Sequence, residues 1–342
     1  MSKYYKLQIK LMFLEVVEVS KFMYDVITVG SNTVDVFAKT DSELIEIKTR
    51  ASTEELLAYP LGTKILISGL EFMIGGGGTN TAVAFSRLGF KTAYLGKIGQ
   101  DENGLKVFKL LKDENIDFIG TLGKIGGYSV ILDSIEDDRT ILTFKGCNDD
   151  LTFEEIKKSH LNAKWLYFAS MTGKSFKMLK KLTDYAKKNN IKIAFNASSY
   201  LAKRGYSYIK KIVESSDVFI LNLEEAQILA GKGSAKDLLK RLYNSNMQYL
   251  VITDGQNGAY CTDGKNNYFI KPKKHLKIKE TTGAGDAFAS TFVAGIIRKK
   301  NIKDCLRMAA INAESVISNY GAKNILLSNR KLKLDRRPVK SF

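Results

Sequence analysis

The sequence predicts an α/β fold with a mostly parallel central sheet, helices on both faces of that sheet, and a small β-sheet beside it. From residue 92 onward, apolar strand patterns alternate with amphipathic helical patterns, and the connections between them are short. This order is typical of a parallel sheet that helices cover on both sides. Residues 36–74 and 126–145 instead contain alternating strand patterns with no long helix, which indicates a second, smaller sheet.

The length of the chain fits one large domain with a small appendage. Its 342 residues are 44% hydrophobic, which is enough to bury a sizeable core. The first strand pattern opens at residue 23, and Glu15 and Glu18 interrupt the apolar patch before it, so no export signal is complete. We therefore predict an N-terminal extension at 1–22, one domain at 23–330 and a basic C-terminal tail at 331–342.

Charge and composition exclude several classes of function. The 53 basic and 36 acidic residues give a net charge of +17, but the basic residues are dispersed, which argues against a nucleic-acid partner. No stretch approaches the ~18 apolar residues of a membrane span. With 3 cysteines in no C-x-x-C spacing and 2 histidines, neither a disulfide framework nor a multi-histidine metal site is expected. A reducing cytoplasm is the simplest location.

Asp35 is the first candidate ligand-binding residue. It follows a short strand pattern at residues 26–30 and a turn of small residues. Open α/β sheets bind ligands at the carboxyl ends of their strands, where an Asp can grip substrate hydroxyl groups. An Asp that only stabilises the turn explains the local pattern equally well.

A run of four glycines separates a strand pattern from a helical pattern. Gly75, Gly76 and Gly78 belong to this run, and Asn80 follows it closely. Glycines let the backbone approach a ligand, while the amide of Asn80 can bind hydroxyl groups. Taken alone, four glycines more often form a flexible joint.

The segment 280–288 is the strongest candidate for the catalytic centre. Gly283, Ala284 and Gly285 lie at the predicted N-terminus of a helix, where backbone N–H groups and the helix dipole favour an anion. Asp286 would repel a phosphate, so its more sensible role is to take a proton from a hydroxyl group that attacks the phosphate. A loop with an ordinary capping Asp is the alternative.

These motifs resemble the signatures of the ribokinase-like carbohydrate kinases, also called the phosphofructokinase-B type. Residues 281–288 read T-T-G-A-G-D-A-F, and residues 75–80 match G-G-x-G-x-N, within a resemblance that spans about residues 24–330. The resemblance implies a ribokinase-like fold in which the small sheet is a lid over the sugar and a surface for pairing with a second subunit. It also implies ATP-dependent phosphorylation of a hydroxymethyl group of a sugar or sugar-like acceptor.

The same resemblance implies a role for each motif residue. Asp286 would be the general base, and the amides of residues 283–285 would neutralise charge on the γ-phosphate. Asp35, Asn80 and the glycine run would bind the acceptor.

A magnesium site is implied by Asn222 and Glu225, which match the N-x-x-E motif of the family. In that motif the acid holds hydrated Mg²⁺ at the nucleotide phosphates, and one carboxylate is enough because Mg²⁺ retains several waters. On local grounds, a helix capping box explains the same spacing.

The remaining nucleotide-side candidates are spread over the last third of the chain. Residues that match a T-x-G-x-x-G turn or lie near the catalytic segment are Thr253, Gly255, Gly258, Thr282 and Asn312. Glu280 replaces the more common Asp and is the candidate ligand of a monovalent cation such as K⁺. The implied cofactors are thus ATP and Mg²⁺, with K⁺ as an optional addition.

Two other functions remain open. A nucleoside kinase of the same fold would need lid aromatic residues against the base, and Phe37, Tyr59, Phe72 and Tyr128 could supply them or simply pack in the core. A catalytically idle relative that binds nucleotide or nucleic acid is a different class, and the intact Asp286 counts against it. The sequence leaves open the identity of the acceptor and the choice between ATP and ADP.

Overall fold

The computed structural model describes residues 23–39, 44–48, 53–57, 61–133, 139–274, 276–319 and 321–342. The described strands are β1 (Tyr24–Val29), β2 (Thr33–Lys39), β3 (Leu44–Lys48), β4 (Thr53–Leu57), β5 (Gly69–Gly75), β6 (Thr92–Leu95), β7 (Lys97–Gly99), β8 (Asp117–Phe118), β9 (Thr121–Gly123), β10 (Gly127–Asp133), β11 (Arg139–Phe144), β12 (Ala163–Phe168), β13 (Lys192–Asn196), β14 (Val218–Asn222), β15 (Tyr249–Thr253), β16 (Ala259–Thr262), β17 (Asn267–Ile270) and β18 (Val339–Ser341).

The described α-helices are α1 (Gly77–Arg87), α2 (Glu102–Asp113), α3 (Gly173–Lys188), α4 (Ser199–Ala202), α5 (Tyr206–Val213), α6 (Leu223–Ala230), α7 (Ala235–Leu242), α8 (Ala284–Ile297) and α9 (Ile302–Ile317). None of the helices in these ranges has both the length and the apolar character needed to cross a bilayer. The N-terminal extension predicted at 1–22 lies outside the described residues.

The main sheet has the strand order β18-β17-β16-β15-β14-β13-β12-β1-β6-β8. From β15 to β8, each strand pairs with its neighbour in parallel. Strands β16, β17 and β18 continue the sheet beyond β15 in antiparallel pairing. The prediction of a mostly parallel central sheet is thereby confirmed.

Two apolar cores lie on opposite faces of the main sheet. On β12, Leu166 and Phe168 belong to the core that includes α3, α5 and α7, whereas Trp165 and Tyr167 belong to the core that includes α1, α8 and α9. Successive side chains of a strand point to opposite faces, so both faces of β12 are buried. This double burial explains why the strands read as continuous apolar runs in the sequence.

The small sheet has the strand order β11-β10-β2-β5. Strands β10 and β2 pair in parallel, and the other two pairs are antiparallel. Asp35 therefore lies on a strand of the small sheet, opposite Met73 of β5, and not in a turn. Large apolar side chains left exposed on this sheet are Leu70, Phe72, Ile141, Leu142 and Phe144. Two further strand pairs, β3 with β4 and β7 with β9, are separate from both sheets.

The ends of β1 and β12 and the N-termini of α1 and α8 meet at one edge of the main sheet. The N–H of Gly78, in the first turn of α1, donates to the carbonyl oxygen of Ser31, just beyond β1, at 3.0 Å. Beyond β12, the N–H of Ala169 donates to Val29 at the end of β1 at 2.8 Å. Since α1 packs against α8, two helix N-termini face the same carboxyl edge of the sheet.

The C-terminal segment belongs to the fold and is not simply a basic tail. Strand β18 pairs with β17 and forms one edge of the main sheet. Just before it, Arg337 forms two hydrogen bonds to the carboxylate of Glu314 on α9, at 2.5 and 2.7 Å. Both side chains are only about a tenth exposed, at 11% and 10%. Residues 331–342, predicted as a tail, thus supply an edge strand and a buried ion pair.

We expect Arg337→Met to destabilise the fold by about 3 kcal/mol, because it leaves the Glu314 carboxylate buried without its cation. The measurement is urea unfolding followed by circular dichroism. The neighbouring exposed Arg336 provides the matched control, since Arg336→Met removes the same charge without breaking a buried pair. Equal midpoints for the two variants would show that the ion pair contributes nothing.

Candidate active site

Asp286 and Asn80 lie in contact although 206 positions separate them along the chain. The Nδ2 of Asn80 donates a hydrogen bond to Oδ2 of Asp286 at 2.7 Å. Asn80 lies in the first turn of α1 and Asp286 in the first turn of α8. The packing of these two helices therefore brings the two strongest predicted motifs together.

The carboxylate of Asp35 lies directly over Gly75. A Cβ atom placed on Gly75 would lie 1.8 Å from Oδ2 of Asp35, so any side chain there would displace this carboxylate. Asp35 itself is 8% exposed. The glycine run continues into α1, where the N–H of Asn80 donates to the carbonyl oxygen of Gly76 at 2.9 Å. The glycine run thus links the end of β5, which lies beside Asp35, to the first turn of α1, which holds Asn80. The N–H of Gly78 ties the run to the segment just beyond β1.

The predicted anion-binding turn begins α8. Gly283 precedes the helix with a φ of 81°, a left-handed conformation that favours glycine. The N–H of Ala284 donates to the carbonyl oxygen of Thr281 at 3.2 Å, so this amide already has a partner within the turn. A Cβ atom on Gly285 would meet no atom within 4 Å, which leaves the turn open to a ligand on that side.

A cavity of about 450 Å³ lies beside this turn. Its volume is within the roughly 300–1,000 Å³ of small-molecule sites. Thr253, Gly255 and Gly258 line it, and Gly285 connects it to the anion-binding turn. The apolar wall that α9 contributes consists of Ala310, Ala313 and Ile317. Three of the six residues predicted for the nucleotide therefore line a cavity of suitable size, whereas Asn222, Thr282 and Asn312 are not in its lining.

Asn312 is not positioned for the nucleotide contact predicted for it. Its side chain is fully buried, at 0% exposure. The Nδ2 of Asn312 donates to Oγ1 of Thr291 at 2.7 Å, and its Oδ1 accepts from the N–H of Leu327 at 2.9 Å. These bonds join α8, α9 and the following segment. The prediction is corrected because the amide of Asn312 is used to hold the fold together.

A second cavity, of about 220 Å³, opens beside Asp286. Its lining includes further polar residues that belong to none of the predicted motifs, among them Lys145, Asn148, Asp149, Ser170 and Tyr200. The Nζ of Lys145 lies 4.3 Å from the centre of the Tyr200 ring. Lys145 follows β11, so the position of the small sheet against the main sheet brings this cation into the cavity that Asp286 also lines. No local pattern in the sequence signals it.

The model of the pfkB family carbohydrate kinases matches residues 40–329. The chain belongs to this family. The predictions of a ribokinase-like fold and of an ATP-dependent carbohydrate kinase are thereby confirmed at the level of the family.

Two relatives and two solved structures show how far this kinase has diverged. It is 28% identical over 248 residues to an uncharacterized sugar kinase of Archaeoglobus fulgidus, covering 70% of this chain and 97% of the relative. It is 25% identical over 274 residues to the 5-dehydro-2-deoxygluconokinase of Bacillus subtilis, with 74% and 83% covered.

Both solved structures share the fold at low sequence identity. The Arabidopsis thaliana ribokinase complexed with ribose and ATP superposes with a TM-score of 0.77 at 17% identity, covering 91% of this chain and 98% of that one. The nucleoside kinase of Methanocaldococcus jannaschii gives a TM-score of 0.74 at 19% identity, with the same 91% and 98% covered.

The environment of Asp286 suits a general base in this kinase. Burial raises the pKa of the Asp286 carboxyl, while the hydrogen bond from Asn80 and the charge of Lys323 act to lower it. The side chain keeps some exposure toward the second cavity, although protein encloses it elsewhere. A carboxylate with a raised pKa binds a proton more strongly, and it can still meet a substrate on its open side.

Asn222 and Glu225 form the capping box that their spacing allows. Oδ1 of Asn222 accepts from the N–H of Glu225 at 2.8 Å, and Oε2 of Glu225 accepts from the N–H of Asn222 at 2.9 Å. Burial raises the pKa of Glu225 to about 7, and Glu224 and Asp286 add to the effect. The magnesium role assigned to Glu225 stays a prediction.

Glu280 and Thr282 flank the start of the anion-binding turn. Oε2 of Glu280 accepts from the N–H of Gly321 at 2.7 Å, in a position that is 8% exposed. Oγ1 of Thr282 is buried with no hydrogen-bond partner among the described residues, as expected for an atom that faces a ligand. The cation role of Glu280 and the nucleotide role of Thr282 stay predictions.

The lid aromatic residues do not share one environment. Phe37 is buried, whereas Phe72 is 56% exposed beneath the Nζ of Lys106 at 5.1 Å. Tyr128 is half-buried, and Tyr59 lies outside the described residues.

We expect Gly75→Ala to raise the KM for the acceptor at least about tenfold, because the new methyl group displaces the Asp35 carboxylate. The KM for ATP should change by less than about twofold, since the cavity of about 450 Å³ beside the turn of α8 is not altered. Gly233→Ala is the matched control, because the nearest atom to a Cβ there is 3.4 Å away. Initial rates at varied acceptor and ATP concentrations check this. A normal acceptor KM in Gly75→Ala would contradict the placement of Asp35.

Proposed function

We propose that this kinase transfers the γ-phosphoryl group of ATP to a hydroxymethyl group of a sugar or sugar-like acceptor, with Asp286 as the general base. The observation that carries the proposal is the hydrogen bond between Asn80 and Asp286. It joins the acceptor-binding motif to the anion-binding turn, so a hydroxyl group held by the first motif would lie next to the base of the second.

In the proposed reaction, Asp286 takes the proton of the acceptor hydroxyl group. The hydroxyl oxygen forms a bond to the γ-phosphorus, and the bond from that phosphorus to the β–γ bridging oxygen breaks. ADP leaves with the electron pair of the broken bond. The proton on Asp286 then passes to solvent through the second cavity. Atoms and charges balance without a further reactant.

The acceptor would be held by polar groups at the base of the lid. Oδ1 of Asn80 is buried without a partner among the described residues, while its Nδ2 is bonded to Asp286. A buried amide oxygen in this state suits a substrate hydroxyl donor. Asp35 would accept from a second hydroxyl group, and the backbone of Gly75, Gly76 and Gly78 would allow the sugar to approach closely. Two hydroxyl contacts fix the orientation of the attacking oxygen.

The triphosphate would lie at the turn that begins α8. The N-terminus of this helix carries partial positive charge, and the open side of the turn at Gly285 faces the large cavity. Lys145 adds a cation to the lining of the second cavity, which Asp286 also lines. Charge that develops on the transferred phosphoryl group would therefore meet backbone N–H groups and an ammonium group. Thr253, Gly255, Gly258 and Thr282 would surround the rest of the nucleotide.

Mg²⁺ fits the residues on this side of the site. No three His, Cys, Asp or Glu residues of the described ranges form a metal-binding group. This suits an ion that keeps most of its waters and binds mainly to phosphate oxygens. Glu225 would hold it through water, with Asn222 beside it, and the ion would supply positive charge to the phosphates. Glu280 is the proposed ligand of a monovalent cation such as K⁺.

The location and the assembly of the kinase are further proposals. All three cysteines are buried and free, which suits a reducing cytoplasm. The exposed apolar side chains of the small sheet suit a homodimer that pairs through the lid.

The acceptor can be found with an ADP-release assay coupled to a second enzyme. Candidates are ribose, fructose, ketodeoxygluconate, 5-dehydro-2-deoxygluconate, sugar phosphates and nucleosides. Release of ADP that depends on one of them supports the proposal and names the acceptor. A chain that binds ATP but releases ADP with none of them would contradict it.

With that acceptor, Asp286→Asn should lower kcat by roughly 10²- to 10⁴-fold, because an amide cannot take the proton. The affinity for ATP should change little, since the anion-binding turn and the cavity are intact. Asp113→Asn is the control, because it removes a carboxylate on the surface of α2. Steady-state rates and calorimetric titration with a non-hydrolysable ATP analogue measure the two effects. Near wild-type turnover in Asp286→Asn would refute the assignment.

Ala313→Phe tests the position of the nucleotide. The larger side chain would fill part of the cavity of about 450 Å³, so the KM for ATP should rise at least about tenfold while the KM for the acceptor stays within about twofold. The measurement is the initial rate at varied ATP and varied acceptor. A change in the KM for the acceptor alone would place the nucleotide elsewhere.

A further inference from the structure

Lys323 is a buried cation that the proposed reaction does not yet use. It follows α9 and is 6% exposed. Its Nζ donates a hydrogen bond to the carbonyl oxygen of Ile74. Ile74 directly precedes Gly75, over which the Asp35 carboxylate lies. The ammonium group is therefore anchored next to the acceptor side of the site, by a neutral partner.

The backbone around Lys323 touches the catalytic side as well. A Cβ atom on Gly283 would lie 2.3 Å from Cβ of Ala322, so the residue before Lys323 packs tightly against the anion-binding turn. The carbonyl oxygen of Lys323 accepts from Nη1 of Arg87 at 2.6 Å. Arg87 is itself paired with Glu114. One short segment thus contacts both the turn of Asp286 and strand β5, which pairs with the strand that carries Asp35.

The charges that face Lys323 come from four side chains on different elements. Asp35 of β2, Asp286 of α8 and Glu114 after α2 favour its charged form, whereas Arg87 of α1 opposes it. Two of the three carboxylates belong to the proposed reaction, and Glu114 is already paired with Arg87. Burying an ammonium group costs several kcal/mol unless nearby charge compensates it. This cost falls at a position where the ammonium group interacts with Asp35, which would bind the acceptor, and with Asp286, the proposed base.

We propose that Lys323 is a positioning residue for phosphoryl transfer, whose ammonium group is the shared countercharge of Asp35 and Asp286. Its charge favours the ionised form of Asp286 in a site from which water is largely excluded, and the negative charge of Asp35 in turn favours the ammonium form of Lys323. Asp286 is then ready to take a proton, and Asp35 is ready to accept hydrogen bonds from the acceptor. The inference rests on the proposed function of these two carboxylates.

The pH dependence of the kinase should report this role. Burial lowers the pKa of Lys323 to about 7, against the opposing effect of Asp35 and Asp286. The ammonium charge is present below that pH and is lost as the pH rises through it. Asp35 and Asp286 are then left without a countercharge, and their negative charge repels the incoming phosphoryl group. Activity should therefore fall on the alkaline side of neutrality, and on the acid side it should fall as Asp286 becomes protonated.

The test compares the pH profiles of kcat/KM for the wild type, Lys323→Arg and Lys323→Met. A guanidinium group stays charged, so Lys323→Arg should keep activity within about tenfold and move the alkaline limb at least about two pH units upward. Lys323→Met should lower kcat/KM roughly 10- to 100-fold, raise the KM for the acceptor and move the acid limb to higher pH. Profiles that keep both limbs in the wild-type place would overturn the inference.

Arg87→Met is the comparison for a purely structural effect. It loosens the backbone of Lys323 and removes a charge that opposes the ammonium form, so it should lower stability, move the alkaline limb only upward and leave the acid limb in place. The same limb shifts in Arg87→Met and Lys323→Met would also overturn the inference.

Asp35→Asn serves if Lys323→Met does not fold. Removing one carboxylate should move the alkaline limb to lower pH, because Lys323 loses part of its compensation. An unmoved alkaline limb in Asp35→Asn would count against the inference. Failure of the proposed function is separate, since the wild type would then phosphorylate none of the acceptors.

Discussion

The hydrogen bond from Asn80 to Asp286 is the contact on which the active site depends. It requires α1 and α8 to begin at the same edge of the main sheet, and each of these helices is preceded by glycine. Both N-termini then direct partial positive charge toward one place. Positive charge at this edge of the sheet favours the binding of phosphate groups. It also lowers the free-energy cost of placing two carboxylates nearby. The helices, the glycines and the acidic residues are therefore parts of one electrostatic arrangement.

The carboxylates of Asp35 and Asp286 need this arrangement because both are largely removed from water. An isolated buried carboxylate would take up a proton near neutral pH and could no longer act as a base. Asn80 counters this effect for Asp286 by donating a hydrogen bond. Lys323 acts on both carboxylates through its charge. The site thus combines a dry interior, which strengthens electrostatic interactions, with an amide and a cation that both favour the charged form of Asp286.

Much of this site could be predicted from the sequence because its backbone requirements are local. A side chain at Gly75 would displace Asp35, and a side chain at the left-handed Gly283 would collide with Ala322. Both requirements for glycine therefore appear as recognisable motifs in the sequence. The continuous apolar strands likewise revealed a sheet buried on both faces. No local sequence motif identifies Lys145 or Lys323, since tertiary packing alone brings them to the site. The nucleotide contact predicted for Asn312 was wrong because its buried amide forms hydrogen bonds with Thr291 and Leu327.

The edge strand β18 and the pair of Arg337 with Glu314 have a consequence for biosynthesis. Glu314 borders the nucleotide cavity, and its cation comes from a residue more than twenty positions further along the chain. A ribosome that has translated only as far as α9 has made both catalytic motifs, yet the wall of the cavity still lacks its support. The wall of the cavity therefore gains its full support only after residues 337–341 have been added and have packed against α9 and β17.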